Sequence, residues 1–197
     1  MKPFIADRLT DGKKTQLVHS RISPPSMDHD QAIEYLLKVK EVFDRHDVKF
    51  WLIYGTLLGA VRDGDFIVGD KDIDLATYED DAEKRFPAIL ELEEFGLKVI
   101  RTNTFDNSFQ VKKNLICIDF GSMSRHRDYM WRNGRFYEPR DFFSELIEWP
   151  FLGTTFLIPK NYTEYLETHY YGDRWKAPDP TCKHAKLYRV RSGNWNK

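Results

Sequence analysis

The sequence predicts an α/β (α+β) domain: a mixed β-sheet with helices packed against it. Three observations predict this. Apolar residues recur first at helical spacing and then at strand spacing, giving helix, strand, helix, strand, helix and then several strands. The 197 residues suit one domain and are enough to bury a real core. Hydrophobic residues at 41% and charged residues at 31% are those of an ordinary soluble globular protein.

Each element has a local reason. Residues 1–27 are polar, end in Ser23-Pro24-Pro25-Ser26 and read as an N-terminal arm. Asp28 opens a helix with Gln31 three residues on, a capping-box arrangement, and Ile33, Leu36, Leu37, Val39 and Phe43 form its buried stripe to about His46. Lys49 to Tyr54 is a short apolar run and reads as a buried strand; Gly55-Thr56 breaks it and Leu57 to Val61 begins a short helix. Asp72 to Thr77 alternates as a strand, with Ile73 and Leu75 on one face and Asp72 and Asp74 on the other. A helix runs from about Asp80 to a cap at Gly96, and Leu97 to Arg101 is a strand. Ser108 to Val111 and Leu115 to Phe120 read as a hairpin turning at Lys112-Lys113-Asn114, and Tyr129 to Tyr137 as a second around Asn133-Gly134. Short strands near 146–149 and 154–158 precede a helix that opens at Asn161 and ends before Gly172. The domain is expected to span 28–178, followed by a tail over 179–197 without clear period.

Bulk chemistry excludes some partners. Acids and bases nearly cancel, at 31 against 30, so no global field favours nucleic acid or an anionic membrane, and a charged substrate must meet a local site. Cys117 and Cys182 cannot make a disulfide framework, which points to a reducing compartment. No secretory leader and no apolar run of ~20 residues is present. The expectation is a cytoplasmic protein without a transmembrane segment, peripheral membrane contact being left open. Cys182 and His184 have no second ligand pair for zinc. Trp131, Trp149 and Trp175 are either packing residues or the lining of an acceptor groove.

Three elements carry chemistry. Gly55-Thr56 follows a buried strand and precedes a helix, a place where backbone amides can meet an anion, although plain turns look the same. Asp72 and Asp74, two apart in a strand, project from one face; an exposed pair would simply be solvated, while a close pair calls for a divalent cation. Asp119 sits in the apolar run Leu115 to Phe120, on the face opposite Ile116, Ile118 and Phe120, and is either a third ligand or half of an ion pair with Lys112 or an arginine. Together they would put three carboxylates beside a phosphate cradle, an array able to hold two metals for phosphoryl displacement. Arg62 either clamps a phosphate or pairs with Asp70 or Asp65. Asp70 and Lys71 are candidate outer-shell groups, Lys71 being equally readable as a solvated loop residue.

The run Tyr54-Gly55-Thr56-Leu57-Leu58-Gly59-Ala60-Val61-Arg62, then Phe66-Ile67 and Asp70-Lys71-Asp72-Ile73-Asp74-Leu75, resembles the LicD family. That family includes bacterial phosphocholine transferases and is related to fukutin and fukutin-related protein. Phe156 to Pro159, Tyr165-Leu166, Tyr171-Gly172-Asp173 and Pro178 are similar to its closing segment. The chain departs from the family's Trp-Asp-Asp-Asp, reading Gly69-Asp70-Lys71-Asp72. The resemblance implies a nucleotidyltransferase fold. It also implies transfer of a phospho-alcohol, such as phosphocholine, from a CDP-linked donor to the hydroxyl of a glycan or lipid-linked glycan, with CMP leaving. By the match Asp72, Asp74 and Asp119 would be catalytic and hold Mg2+ or Mn2+, while Gly55, Thr56 and Arg62 would meet donor phosphate. Two alternatives stand beside this expectation: transfer of a nucleoside monophosphate from a nucleoside triphosphate, and a non-catalytic module that binds a nucleotide or glycan.

Overall fold

The computed structural model describes residues 26–104, 107–123, 129–132, 136–170 and 172–178. The N-terminal arm up to residue 25, the tail with Cys182 and His184, and the turn at Asn133-Gly134 lie outside them. The first helix, α1 (His29–Arg45), is capped as expected: the Gln31 N–H donates to Asp28 Oδ1 at 2.9 Å. The Gln31 side chain turns to tertiary work instead of closing the box, accepting from Tyr35 Oη and from Asn114 Nδ2. The buried stripe is Ala32, Tyr35, Leu36, Val39, Val42 and Phe43, so Ile33 and Leu37 flank it, partly buried.

The chain continues through β1 (Phe50–Leu52), α2 (Tyr54–Arg62), β2 (Asp72–Tyr78), a 3-10 turn at Glu79–Asp81 and α3 (Ala82–Phe95). Gly96 ends α3 with φ 101°, as its position suggested. Then follow β3 (Lys98–Thr102), β4 (Phe109–Lys113) and β5 (Ile116–Met123). Beyond them come the hairpins β6 (Tyr129–Arg132) with β7 (Phe136–Pro139) and β8 (Leu146–Phe151) with β9 (Thr154–Pro159), then α4 (Tyr162–His169) and a 3-10 turn at Gly172–Lys176. Asn161 stands at the α4 cap without a side-chain capping bond.

Five strands form one sheet in the order β1-β2-β5-β4-β3. β2 and β5 are parallel and the other neighbours antiparallel, so the sheet is mixed as expected. Phe43 of α1 packs on Phe50 and Phe120, with centroids 5.5 and 5.3 Å apart, and Phe109 stacks on Phe120 at 4.3 Å. Residues 73, 75, 118 and 120 therefore face the helical layer of α1. On the other face Trp51 packs on Tyr78 and Phe143, and Tyr54 of α2 on Tyr165 and His169 of α4. Each fully buried Leu, Ile or Phe contributes roughly 1.5–3 kcal/mol, which anchors both layers and fixes the strand register.

Two boundaries differ from expectation, and both bear on the site. α2 begins at Tyr54, so Gly55 and Thr56 lie in its first turn and not in a break before it. The β4–β5 hairpin turns on Asn114-Leu115, Asn114 having φ 54°, and Lys112 and Lys113 belong to the strand, paired with Cys117 and Ile116. Among the described residues no helix is long and apolar enough to cross a membrane.

Candidate active site

β2 and β5 run side by side with Asp74 opposite Asp119 and Asp72 opposite Cys117. A strand's period of two puts Asp72 and Asp74 on one face, and a residue in register on the parallel neighbour points the same way. The three carboxylates therefore converge: one oxygen from each lies within 4.8 Å of the others. Asp74 and Asp119 are each only 8% exposed, and Asp72 is partly buried at the strand's start.

The turn into α2 holds Asp74 from the side. The Ile53 N–H donates to the Asp74 carbonyl at 3.2 Å, and the Asp74 N–H donates to Thr56 Oγ1 at 2.9 Å. Tyr54 makes this sharp strand-to-helix corner at φ 45°, a left-handed value that costs a tyrosine energy and that the surrounding packing enforces. Thr56 is fully buried, so its hydroxyl serves Asp74. Gly55 is where Asp70 comes in: a Cβ at position 55 would lie 2.9 Å from Asp70 Oδ2. The Asp70 carboxylate thus rests on the first turn of α2, where a donor phosphate was expected. Burial pushes its carboxyl up to about 6, against the Lys71 N–H that hydrogen-bonds it and with help from the Asp72 charge.

Arg62 pairs with neither Asp70 nor Asp65. Its Nε and Nη2 reach Asp63 Oδ1 and Oδ2 at 2.8 and 2.6 Å, a bidentate pair at the end of α2. Asp65 instead meets His29 Nε2 at 2.8 Å, and that bond raises the His29 pKa. Lys71 is exposed and contributes its backbone N–H to Asp70 Oδ1 at 3.0 Å. A cavity of about 460 Å³ opens beside this corner, bordered by Gly55, Arg62, Asp70, Tyr170, Arg174 and Trp175. Trp149 Nε1 donates to the Ala60 carbonyl at 3.2 Å. Burial pushes the Cys117 thiol up, in keeping with an apolar role.

One residue beside the acidic trio is not apparent in the sequence. Arg101 Nη2 donates to Asp119 Oδ1 at 2.7 Å. In register Arg101 lies opposite Gln110, and Gln110 opposite Asp119, so Asp74, Asp119, Gln110 and Arg101 form a row across four strands. Asp119 is at once a member of the acidic trio and half of an ion pair with an arginine.

Three carboxylates this close, if all are charged, repel by about 3.5 kcal/mol per pair at an effective dielectric near 20. Hard carboxylate oxygens, two of them buried and convergent, fit a Mg2+ or Mn2+ ion; the absence of sulfur or imidazole from the trio argues against a softer metal.

The nucleotidyltransferase domain described as LicD/FKTN/FKRP matches residues 47–161, more than half of the chain and all three aspartates. The chain belongs to that family. It is 28% identical over 161 residues to the ribitol-5-phosphate transferases FKTN of Macaca fascicularis and Homo sapiens, a stretch covering 76% of this chain and 34% of theirs. It is 28% identical over 142 residues to human ribitol 5-phosphate transferase FKRP, covering 64% of this chain and 28% of that one. The chain thus spans about a third of the length of these relatives. Among solved structures, antibiotic-resistance factor ANT(2'')-Ia aligns at TM-score 0.50 with 15% identity, over 71% of this chain and 74% of its own. The lincomycin-bound lincosamide adenylyltransferase LnuA aligns at TM-score 0.50 with 16% identity, over 72% and 85%. The LicD/FKTN/FKRP chain accordingly has the nucleotidyltransferase fold.

Proposed function

We propose that this chain is a metal-dependent transferase that moves a phospho-alcohol group from a CDP-linked donor to a hydroxyl of a glycan-type acceptor. The observation that carries the reading is the convergence of Asp72, Asp74 and Asp119 within 4.8 Å on a nucleotidyltransferase sheet. The names of the FKTN and FKRP relatives favour a phospho-alcohol over a nucleotide as the group that moves.

Asp72, Asp74 and Asp119 would hold Mg2+ or Mn2+. When bound, the ion neutralises donor phosphate oxygens and stabilises the charge that develops in transfer. The acceptor oxygen forms a bond to the alcohol-bearing phosphorus as the bond to CMP breaks, and CMP leaves with the electron pair. Asp119 receives the hydroxyl proton. Ile53 and Thr56 keep the Asp74 backbone in place, so its carboxylate is aimed before substrate arrives. The cavity beside Gly55 and Asp70 receives the donor.

The test is product analysis with CDP-choline and CDP-ribitol as probes, in Mn2+, following CMP release to added sugars and to water. CMP from either donor, lost in a folded Asp74→Asn variant, supports the reading. Pyrophosphate from a nucleoside triphosphate, with the CDP-alcohols untouched, replaces it with nucleotidyl transfer. An Asp74→Asn variant of normal rate sinks both.

A further inference from the structure

We propose that Arg101 is a donor-phosphate residue that the metal-free protein parks on Asp119. The inference deepens the function proposed above and rests on it. Its first support is the way β3 is built. Lys98 pairs with Lys112 and Val99 with Val111, a register that would set Ile100 opposite Gln110. An irregularity between Val99 and Arg101 sets Arg101 there instead. Bulges of this kind re-aim a side chain, often beside active sites. Here the shift leaves Ile100 48% exposed and brings a guanidinium onto the row that contains Asp119 and Asp74. An exposed isoleucine is a cost, and the placed cation is what the strand gains.

The second support is the asymmetry of the pair. The Asp119 side chain is 11% exposed, whereas that of Arg101 is 49% exposed. The carboxylate is fixed in the sheet while the guanidinium sits on a flexible stem at the rim. The guanidinium can therefore swing away without unfolding the sheet, provided that another cation takes its place on the buried carboxylate.

The third support is charge. The Arg101 guanidinium offsets the charge of Asp119, the member of the trio it pairs with, so a cation arriving at the trio competes with it for that carboxylate. A metal ion held by the trio would repel the guanidinium from Asp119 and would favour its turning to the donor's phosphate oxygens. The guanidinium's planar fork matches phosphate as well as carboxylate. Arg101 then leaves Asp119 for the donor, and Asp119 is released for the ion and the acceptor proton. The arginine therefore competes with metal and cooperates with donor, two effects of opposite sign.

Those signs define the experiment. The full chain, Arg101→Gln and Arg101→Lys are titrated with MnCl2 alone, free Mn2+ being read by electron paramagnetic resonance. CDP is then titrated calorimetrically at saturating Mn2+. Arg101→Gln should bind Mn2+ on the order of tenfold more tightly, the effect of removing a unit charge ~6 Å from a divalent ion with water-like screening. It should bind CDP about tenfold more weakly, the loss of a charge-assisted bond. Arg101→Lys keeps the charge and loses the fork, so Mn2+ affinity stays at the wild-type value while CDP weakens several-fold. A merely structural ion pair would leave CDP binding alone and would, on its loss, loosen the metal. Unchanged or weaker Mn2+ binding by Arg101→Gln, or unchanged CDP binding, overturns the inference. If Arg101→Gln does not fold, Arg101→Lys binding CDP like the wild type overturns it equally. Wild-type protein that binds Mn2+ and CDP normally beside such variants would sink the role of Arg101 alone; wild-type protein that binds no Mn2+ sinks the proposed function with it.

Discussion

Replacing Asp72 by asparagine removes one charge from a cluster whose members repel one another. The metal-free protein should therefore become more stable as it loses its hold on cations. An Asp72 oxygen lies within 4.8 Å of oxygens on both Asp74 and Asp119. Each such pair costs about 3.5 kcal/mol at an effective dielectric of 20 and about 0.9 kcal/mol in bulk water. Asp72 is the least buried of the three, so water screening governs; relief of its two repulsions, about 1.7 kcal/mol, is partly offset by about 0.6 kcal/mol lost from the Arg101 guanidinium on Asp119 roughly 7 Å away, which leaves about 1 kcal/mol. For a chain of 197 residues this is a rise in Tm of about 2–4 °C. A divalent ion acts in the other direction, since it stabilises the folded state in proportion to its affinity for the trio. The assay is thermal unfolding of wild-type and Asp72→Asn protein at neutral pH, first in EDTA and then across a MnCl2 series. The variant should melt higher in EDTA, and the wild type should gain more from Mn2+. An Asp72→Asn protein that melts at or below the wild-type temperature in EDTA, or that gains equally from Mn2+, refutes the reading of these carboxylates as one electrostatic unit.

Thr56→Val keeps the shape of a fully buried side chain but strands the Asp74 N–H, which should cost about 1–3 kcal/mol in urea unfolding and weaken Mn2+ binding with it. Asp70→Asn reports on a carboxyl that burial has raised to about 6 from 3.8. Between those values the folded protein keeps a proton that the unfolded chain has released, so metal-free wild type loses stability as pH rises through the interval, by at most about 3 kcal/mol. The asparagine variant lacks that loss. Its advantage should be complete above pH 6 and vanish below pH 4, and equal pH profiles in urea unfolding would contradict the buried placement of Asp70.

The acidic trio was legible because it depends on simple geometry. Period two pairs Asp72 with Asp74, and a lone acid in the apolar run at 115–120 needs a reason to be there. Arg101 was hidden because finding it requires two registers at once. A hairpin turning at Lys112-Lys113-Asn114 pairs Val111 with Leu115 and so sets Asp119 opposite Asn107. The real loop contains Leu115, 69% exposed, a residue that imitates the first position of a strand. The β3 irregularity then shifts the partner of Gln110 by one, which no local pattern announces. In the sequence Gly55 reads as a place where backbone amides can meet an anion, and the structure adds that its missing Cβ leaves space for Asp70, 15 residues distant in sequence. Arg62 had acids at 63, 65 and 70 nearby in sequence, and the bidentate pair it makes is with Asp63, the residue that follows the end of α2.

The departure from the family's Trp-Asp-Asp-Asp can now be weighed position by position. Gly69 adopts φ 88°, a left-handed conformation that costs roughly 1–2 kcal/mol for a residue with a Cβ, so the turn here is built for glycine and a tryptophan would need a different backbone. The turn is closed by the Asp70 N–H on the Ile67 carbonyl at 3.0 Å and by the Met27 N–H on the Asp70 carbonyl at 2.9 Å. Lys71 comes next, exposed, one residue before β2 and out of phase with 72 and 74. An acid at 71 would stand outside the trio on the same reasoning that places 72 and 74 inside it. Exchanging it for lysine therefore removes no ligand. It adds a positive charge next to the acidic trio, where it lowers the local negative potential.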